Sequence, residues 1–355
     1  MGGSIVITPD TRPHVTVVMP IRNEGPFIAR SLQSIFSQDY PADRMDILIA
    51  DGMSTDGTRA FVAEMAAQHP NLRLVDNPGG IVSTGLNAVL TMATGSIIVR
   101  VDGHCEIDRS YVSRCVAHLR DEQVAAVGGP LRTVGDGPVS EAIATAMSSA
   151  FGVGDSRFRI GSEKPMLVDT VAFPAYLRTA IEQAGPFDEE LVRNQDDEYS
   201  YRLRAMGFSI LLAPDVQSVY YSRASLKKLW SQYYQYGYWK VRVMQKHPRQ
   251  MRLRQFVPPL FVASLVIGAV AALTLPYGGL LLGAVLIPYV VANAVASVRG
   301  ARGRWDLLPL LPITFVILHL SYGFGFLHGL LKFSRRWRDR GVRARSMAPT
   351  GSEAC

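Results

Sequence analysis

The chain has 355 residues, 48% of them hydrophobic, and its 37 Lys and Arg against 30 Asp and Glu give a formal net charge of +7. That length allows a sizeable core and about two domains. The basic residues crowd at 227–254, 299–304 and 332–345, each group flanking a long apolar segment. The pattern points to anionic membrane surface rather than nucleic acid, and no aromatic-and-basic RNA-binding signature occurs. Three cysteines without CxxC spacing exclude a disulfide framework and fit a reducing compartment.

The first residues, MGGSIVITPDTRPHV, lack a basic stretch followed by an apolar one, so no signal peptide is expected. From residue 14 the chain alternates strands and helices. Strands are predicted at 14–20, 45–52, 72–77 and 96–102, with helices at 24–38, 58–69 and 81–93 between them. Such alternation predicts a mostly parallel sheet covered by helices, with ligands at the carboxyl edge of the strands. The middle is less regular. Helices are expected at 108–121, 138–152, 175–184 and 195–206, strands at 124–134, 167–173 and 209–221. A long helix follows over 225–246.

Four stretches carry chemistry. VVMPIRNEG (17–25) ends a strand and opens a helix, whose free N–H groups favour an anion. In LIADGMSTDGT (48–58), Asp51 ends an apolar strand, where a carboxylate can accept from a base or ribose; Asp56 is expected to cap the next helix. In SIIVRVDGHCEID (96–108), Asp102 and His104 lie two apart and point the same way on an extended backbone. A cation on a diphosphate needs only one or two protein ligands; oxygen suits Mg2+, and an imidazole shifts preference toward Mn2+. Glu106 and Asp108 are read as part of the next turn and helix start. In NQDDEYSYRLRAMG (194–207), three adjacent carboxylates repel, and Asp196 or Asp197 is a candidate general base. Farther on, Gln232, Gln235 and Trp239 share a helix face, where amides and an aromatic ring suit a sugar. The same helix also reads as interfacial and amphipathic.

The last third holds three apolar segments, 256–275, 278–298 and 306–331, long enough to cross a bilayer. Lys and Arg before 256 put the N-terminal part on the cytoplasmic side. A single third crossing would then leave KFSRRWRDRGVRAR outside, against the positive-inside rule. The third segment is therefore expected either to cross or to be bent or re-entrant, broken at Pro309, Pro312, Gly323, Gly325 and Gly329.

In this order the motifs VVMPIRNE, ADGMSTDGT, VDGH, QDDEYSYRLRAMG and QYGYW resemble the family 2 glycosyltransferases of GT-A fold, over roughly residues 14–245. The membrane anchor and VDTVAF (168–173) resemble the bacterial exopolysaccharide enzymes of succinoglycan type. The resemblance implies an α/β GT-A nucleotide-sugar-binding domain followed by a C-terminal transmembrane helical region. The boundaries are a tail at 1–13, the catalytic domain at 14–224, an interfacial helix and linker at 225–254, about three transmembrane helices at 255–333 and a basic tail at 334–355. It implies donor contacts at Pro20, Arg22, Asn23, Glu24, Asp51 and Asp102, and a divalent cation, Mn2+ or Mg2+, at Asp102 and His104. His104 replaces the last aspartate of the family's DxD motif. The resemblance makes Asp196 the base, with Asp197 its rival because Gln195 replaces the motif's glutamate. Asp169, Gln235 and Trp239 fall on the acceptor side, with Tyr238 where processive members carry arginine. The expected activity is inverting transfer from a nucleotide-sugar, UDP by default, to a polyprenyl-linked or glycan acceptor in polysaccharide synthesis. The expected location is the inner membrane, multi-pass, with the catalytic domain cytoplasmic and lipids as partners. The alternatives are a nucleotidyltransferase on a similar sheet and a non-catalytic membrane scaffold or carbohydrate-binding protein.

Overall fold

The computed structural model describes residues 12–120, 124–222 and 225–339. The N-terminal tail up to residue 11, and the end of the basic tail from 340, lie outside the described residues. In chain order the elements are β1 (Val15–Ile21), α1 (Ile28–Phe36), β2 (Met45–Asp51), α2 (Thr58–Gln68), β3 (Leu72–Asp76), α3 (Val82–Leu90), β4 (Ile97–Arg100), β5 (Cys105–Ile107), α4 (Tyr111–His118), β6 (Val124–Gly128) and β7 (Leu131–Val134). Then come α5 (Pro138–Met147), α6 (Ala150–Val153), α7 (Arg157–Ile160), β8 (Met166–Leu167), β9 (Ala175–Leu177), α8 (Arg178–Ala184), α9 (Gln195–Ala205), β10 (Ser209–Leu212) and β11 (Ser218–Tyr221). The last helices are α10 (Leu226–Lys246), α11 (Val257–Thr274), α12 (Gly278–Ala301) and α13 (Leu311–Lys332).

The chain divides into two units, residues 12–130 with 162–218, and residues 131–161 with 219–339. The first unit is built on an eight-stranded sheet of order β3-β2-β1-β4-β9-β6-β10-β8. β1, β2, β3 and β4 are mutually parallel, β10 is parallel to β6, and β9 runs antiparallel between β4 and β6. β1 lies at the centre, and all seven of its residues are buried. This matches its unbroken apolar sequence, since a strand covered on both faces needs no polar alternation. Helix α1 buries Ile28, Ser31, Leu32 and Ile35, the spacing of one helical face.

Several expected elements come out differently. The stretch 124–134 is two strands, because Gly129 sits where a Cβ would collide with the backbone of Val216. Ala175–Leu177 is a strand, not the start of a helix: it fills the gap between β4 and β6, pairing Tyr176 with Ile98 and Ala126. Most of 168–173 is irregular. Its polar side chains look inward, and Thr170 meets Ser200 of α9 at 3.2 Å.

Of the three adjacent carboxylates of α9, one is paired within the helix. Glu198 is fully buried and bound by both arms of Arg202, at 3.0 and 2.5 Å. Arg202 also donates to the carbonyls of Ala184 and Pro186. The i,i+4 spacing thus neutralises one carboxylate and leaves Asp196 and Asp197 on the partly exposed side of the first turn.

The second unit packs α10 to α13 with α5, α6 and α7. α11, α12 and α13 are each long and apolar enough to cross a membrane. α13 is one continuous helix; Pro312 lies in its first turn, where proline is tolerated. Its glycines are contact points, not breaks. Gly325 lies on the Tyr234 carbonyl and Gly329 on the Tyr238 carbonyl, both of α10.

Arg202→Met leaves the buried Glu198 without a counter-charge. The expected loss is about 3–5 kcal/mol, read as a lowered thermal midpoint of the detergent-purified full chain. An unchanged midpoint would show that this pair does not hold α9 in place.

Candidate active site

The carboxyl ends of β2, β1 and β4 lie side by side. Ile21 of β1 pairs with Asp51 of β2, and Val18 of β1 with Arg100 of β4. The loops that follow these strands therefore meet at one edge, and they carry Arg22 to Gly25, Gly52 to Asp56, and Asp102 to His104.

The first two loops are laced together. The N–H of Asn23 donates to Ser54 Oγ at 2.9 Å, that of Glu24 to Thr58 Oγ1 at 2.9 Å and that of Gly25 to Asp56 Oδ2 at 3.0 Å. Asn23, in the left-handed region at φ 56°, accepts from the Thr55 N–H at 2.8 Å. The next two N–H groups, of Phe27 and Ile28, go to the Glu24 carbonyl. The N–H groups of the loop and of Ile28 are therefore bonded within the chain. Arg22 donates to the Gly80 carbonyl at 3.1 Å and remains exposed, while Pro20 is buried at the end of β1.

Asp51 is completely buried. It accepts from Ser54 Oγ at 2.5 Å and from Arg59 Nη1 at 3.1 Å, and Arg59 also grips Asp76 at 2.6 Å. Asp56 accepts from the Thr58 N–H and hydroxyl, which fixes the start of α2 and holds its carboxyl below the usual range. Asp108 does the same for Ser110 ahead of α4, so it belongs to the turn as expected.

The centre of the site is Arg100, which the sequence showed only as an interruption in an apolar strand. Its side chain is buried, and it clamps both oxygens of Asp102, Nε to Oδ1 at 2.9 Å and Nη2 to Oδ2 at 3.1 Å. Burial opposes its charge, but Asp102 and Asp196 outweigh that and raise its pKa above the ordinary value. Arg100 is thus the cation that senses both the strand-end carboxylate and the α9 carboxylate. Tyr176 of β9 lies in the same field. Burial, with Asp196 and Asp102 contributing, pushes its phenol up, and its hydroxyl has no hydrogen-bond partner among the described residues. The signal for Arg100 was its place, a charged residue inside a buried strand two positions before Asp102. Nothing in the sequence marked Tyr176.

His104 Nδ1 meets Glu24 Oε1 at 3.0 Å. Gly103 permits this approach, because a Cβ there would touch the side chains of Glu24 and Ile21. A carboxylate on one imidazole nitrogen fixes the tautomer and makes Nε2 the nitrogen with the lone pair. The described residues hold no group of three or more His, Cys, Asp or Glu suited to a metal. One carboxylate and one oriented imidazole still fit a cation on a diphosphate, since phosphate oxygens and water complete its shell.

On α9, Asp196 Oδ1 accepts the Asp197 N–H at 3.0 Å. Asn194 precedes the helix with φ 62°, a kink that sets the direction of its first turn. Asp169 is buried beside Thr170 in the segment that bonds α9. Gln235 and Trp239 belong to α10 in the second unit. There Trp239 packs on Phe333 at 5.8 Å and on Tyr238 at 5.4 Å, while Gln232 donates to the Tyr236 hydroxyl at 2.9 Å.

The profile of Glycosyl transferase family 2 matches residues 16–183. The succinoglycan biosynthesis protein ExoA of Rhizobium meliloti (strain 1021) is 31% identical over 328 residues, 90% of this chain and 96% of that protein. A dolichyl N-acetyl-alpha-D-glucosaminyl phosphate 3-beta-D-2,3-diacetamido-2,3-dideoxy-beta-D-glucuronosyltransferase of Methanococcus voltae is 25% identical over 90% of this chain and 97% of its own length. Among solved structures, the mannosyltransferase PcManGT from Pyrobaculum calidifontis, in complex with GDP-Man and Mn2+, shares the fold with a TM-score of 0.58 at 24% identity, covering 92% of this chain and 90% of that one. The sheet is that of the GT-A fold, and the match to ExoA runs almost end to end: the chain belongs to glycosyl transferase family 2.

Proposed function

We propose that this glycosyltransferase performs an inverting, cation-assisted transfer from a nucleoside-diphosphate sugar, by default a UDP-sugar, to a membrane-associated acceptor such as a polyprenyl-linked glycan in polysaccharide synthesis. The observation that carries the reading is Arg100, buried at the carboxyl edge of the sheet and charged against both Asp102 and Asp196. A donor carboxylate and a base must face the same sugar from different elements, and the field of this one cation reaches both Asp102 on the strand end and Asp196 on α9.

In this reading the loop at Pro20, Arg22, Asn23 and Glu24 frames the nucleotide, with Asp51 toward the base and Asp102 toward the ribose and diphosphate. Arg22, the exposed cation of that loop, is the group suited to a phosphate. Asp102 and His104 would hold the divalent cation, which when bound offsets charge developing on the leaving diphosphate. Glu24 keeps the His104 imidazole turned and its proton on Nδ1. Asp196 takes the acceptor proton as the acceptor oxygen attacks the anomeric carbon from the face opposite the diphosphate, the single-displacement geometry of an inverting enzyme. Asp197 is the rival base. Asp169 and Gln235 are the acceptor contacts. Trp239 would add only the part of its ring not packed on Phe333.

The dolichyl-phosphate-sugar activity named for the archaeal relative, and the Mn2+ in the mannosyltransferase complex, support the acceptor class and the cation. The apolar helices support a membrane location, which we take to be the inner membrane with the catalytic unit cytoplasmic.

Detergent-purified protein screened against nucleotide-sugars with Mn2+, Mg2+ or EDTA should turn over one donor only with a cation. Asp196→Asn should lower that rate by about 10²–10⁴-fold with little change in donor binding, and Asp197→Asn far less. The reverse order would reassign the base, and turnover in EDTA would remove the cation.

Glu24→Ala should raise the cation concentration needed for half-maximal activity by about 10–100-fold, because the imidazole is no longer oriented. A metal titration of wild type and variant reads this directly. Superimposable curves would reduce the Glu24–His104 pair to a loop contact.

A further inference from the structure

α11 and α12 form a hairpin whose register is fixed by three contacts. Phe261 stacks on Tyr289 at 4.3 Å, Gly268 lies against Leu282, and Gly278 against Ala271. At about 1.5 Å per residue the two helices are roughly 27 and 36 Å long, enough for a bilayer.

α13 meets this hairpin only in the half away from its turn, beginning where Leu311 lies against Gly300 of α12. Pro312 O accepts from Asn293 at 3.1 Å. His319 lies 3.0 Å from the Tyr289 hydroxyl. Gly323 lies on Pro258 and Val262, and Phe326 meets Phe256 with ring centroids 6.0 Å apart. From Leu311 to Phe326 α13 advances about 23 Å, while these contacts stay within about the first 9 Å of α11 and about the last 17 Å of α12. α13 therefore stays at the base of the hairpin and does not continue along it to the turn. Toward the turn the hairpin is bare. Ile267, Leu273, Tyr277 and Leu280 are each more than two-thirds exposed.

The other half of α13 is bound to α10 in the same direction. Phe324 meets Trp230, His328 meets Tyr234, the Phe333 carbonyl accepts from Gln245 at 2.8 Å, and Asp339 meets Arg242 at 3.2 Å. α10 carries Lys227, Lys228 and Lys246 near its ends, while Lys240 and Arg242 are buried against its neighbours. Each charge of this kind costs about 2.5–3.5 kcal/mol at the centre of a membrane helix. A helix so charged stays at the interface, and it holds α13 at its own depth. Both ends of α13 are also basic, with Arg299, Arg302 and Arg304 before it and Lys332, Arg335 and Arg336 after it.

We infer that the chain crosses the membrane twice, through α11 and α12, and that α13 is not a third crossing. α13 lies with α10 in the plane of the headgroups of one leaflet, whose anionic lipids face the basic residues at both of its ends. Residues on either side of α13 are then on the same side of the membrane, which removes the conflict with the positive-inside rule. The inference rests on the hairpin being membrane-embedded.

The test uses the full chain in its native membrane with Cys355→Ser; Cys105 and Cys115 are buried and give little background. One further substitution is made at a time at an exposed site: Glu64→Cys in the sheet unit, Tyr277→Cys at the hairpin turn or Arg338→Cys after α13. Each variant is labelled with a membrane-impermeant maleimide before and after permeabilisation. The expected result is that the thiols at positions 64 and 338 behave alike and the one at position 277 is reached from the opposite side. Labelling of position 338 together with position 277 would overturn the in-plane helix. All three labelling from one side would instead show that the hairpin does not cross.

Discussion

The sheet unit depends on how it accommodates one buried cation. Arg100 enters the centre of the sheet on β4, where an uncompensated charge would cost several kcal/mol. Asp102 compensates it from two residues away, with both oxygens, and Asp196 adds its charge from α9. The end of β4 is therefore set by an electrostatic requirement that the start of α9 also feels. Asp102 cannot drift without leaving the cation uncompensated in an apolar core.

Much of the sheet unit was legible because fully covered parallel strands are written as apolar runs. β1 to β4 fall within a residue or two of their expected limits except where β4 stops early, at Arg100. The carboxyl-edge grouping of Asp51, Asp102 and Asn23 follows from the alternation alone. The unread parts have physical reasons. Ala175–Leu177 is too short for periodicity to mark, and its strand character comes from two neighbours far away in sequence. The break at Gly129 reflects a backbone approach from Val216. The charges of α9 were read as repulsion although Glu198 and Arg202 stand at the i,i+4 spacing that pairs them. The laced loops hid in small polar side chains, whose bonds to distant N–H groups leave no local pattern.

In the helical unit, composition located the apolar segments but not their arrangement. Gly323, Gly325 and Gly329 read as weak points in a helix. In the structure they are where α11 and α10 press closest on α13. A glycine in a helix costs roughly 1 kcal/mol against alanine, and close packing of neighbouring backbones can repay it. Sequence gives the cost at once and the reason only when the partner helix is known.

The helical unit also has a history in time. Its segment 131–161 is synthesised long before the helix that completes it: Phe151 gives its carbonyl to His319, 168 positions later. At translation rates of about 5–20 residues per second that interval is roughly 10–30 s. For that time the segment's apolar side chains and the inner face of α10 lack their partner. The helical unit therefore cannot close while its chain is still being made, and its first helices wait for its last one.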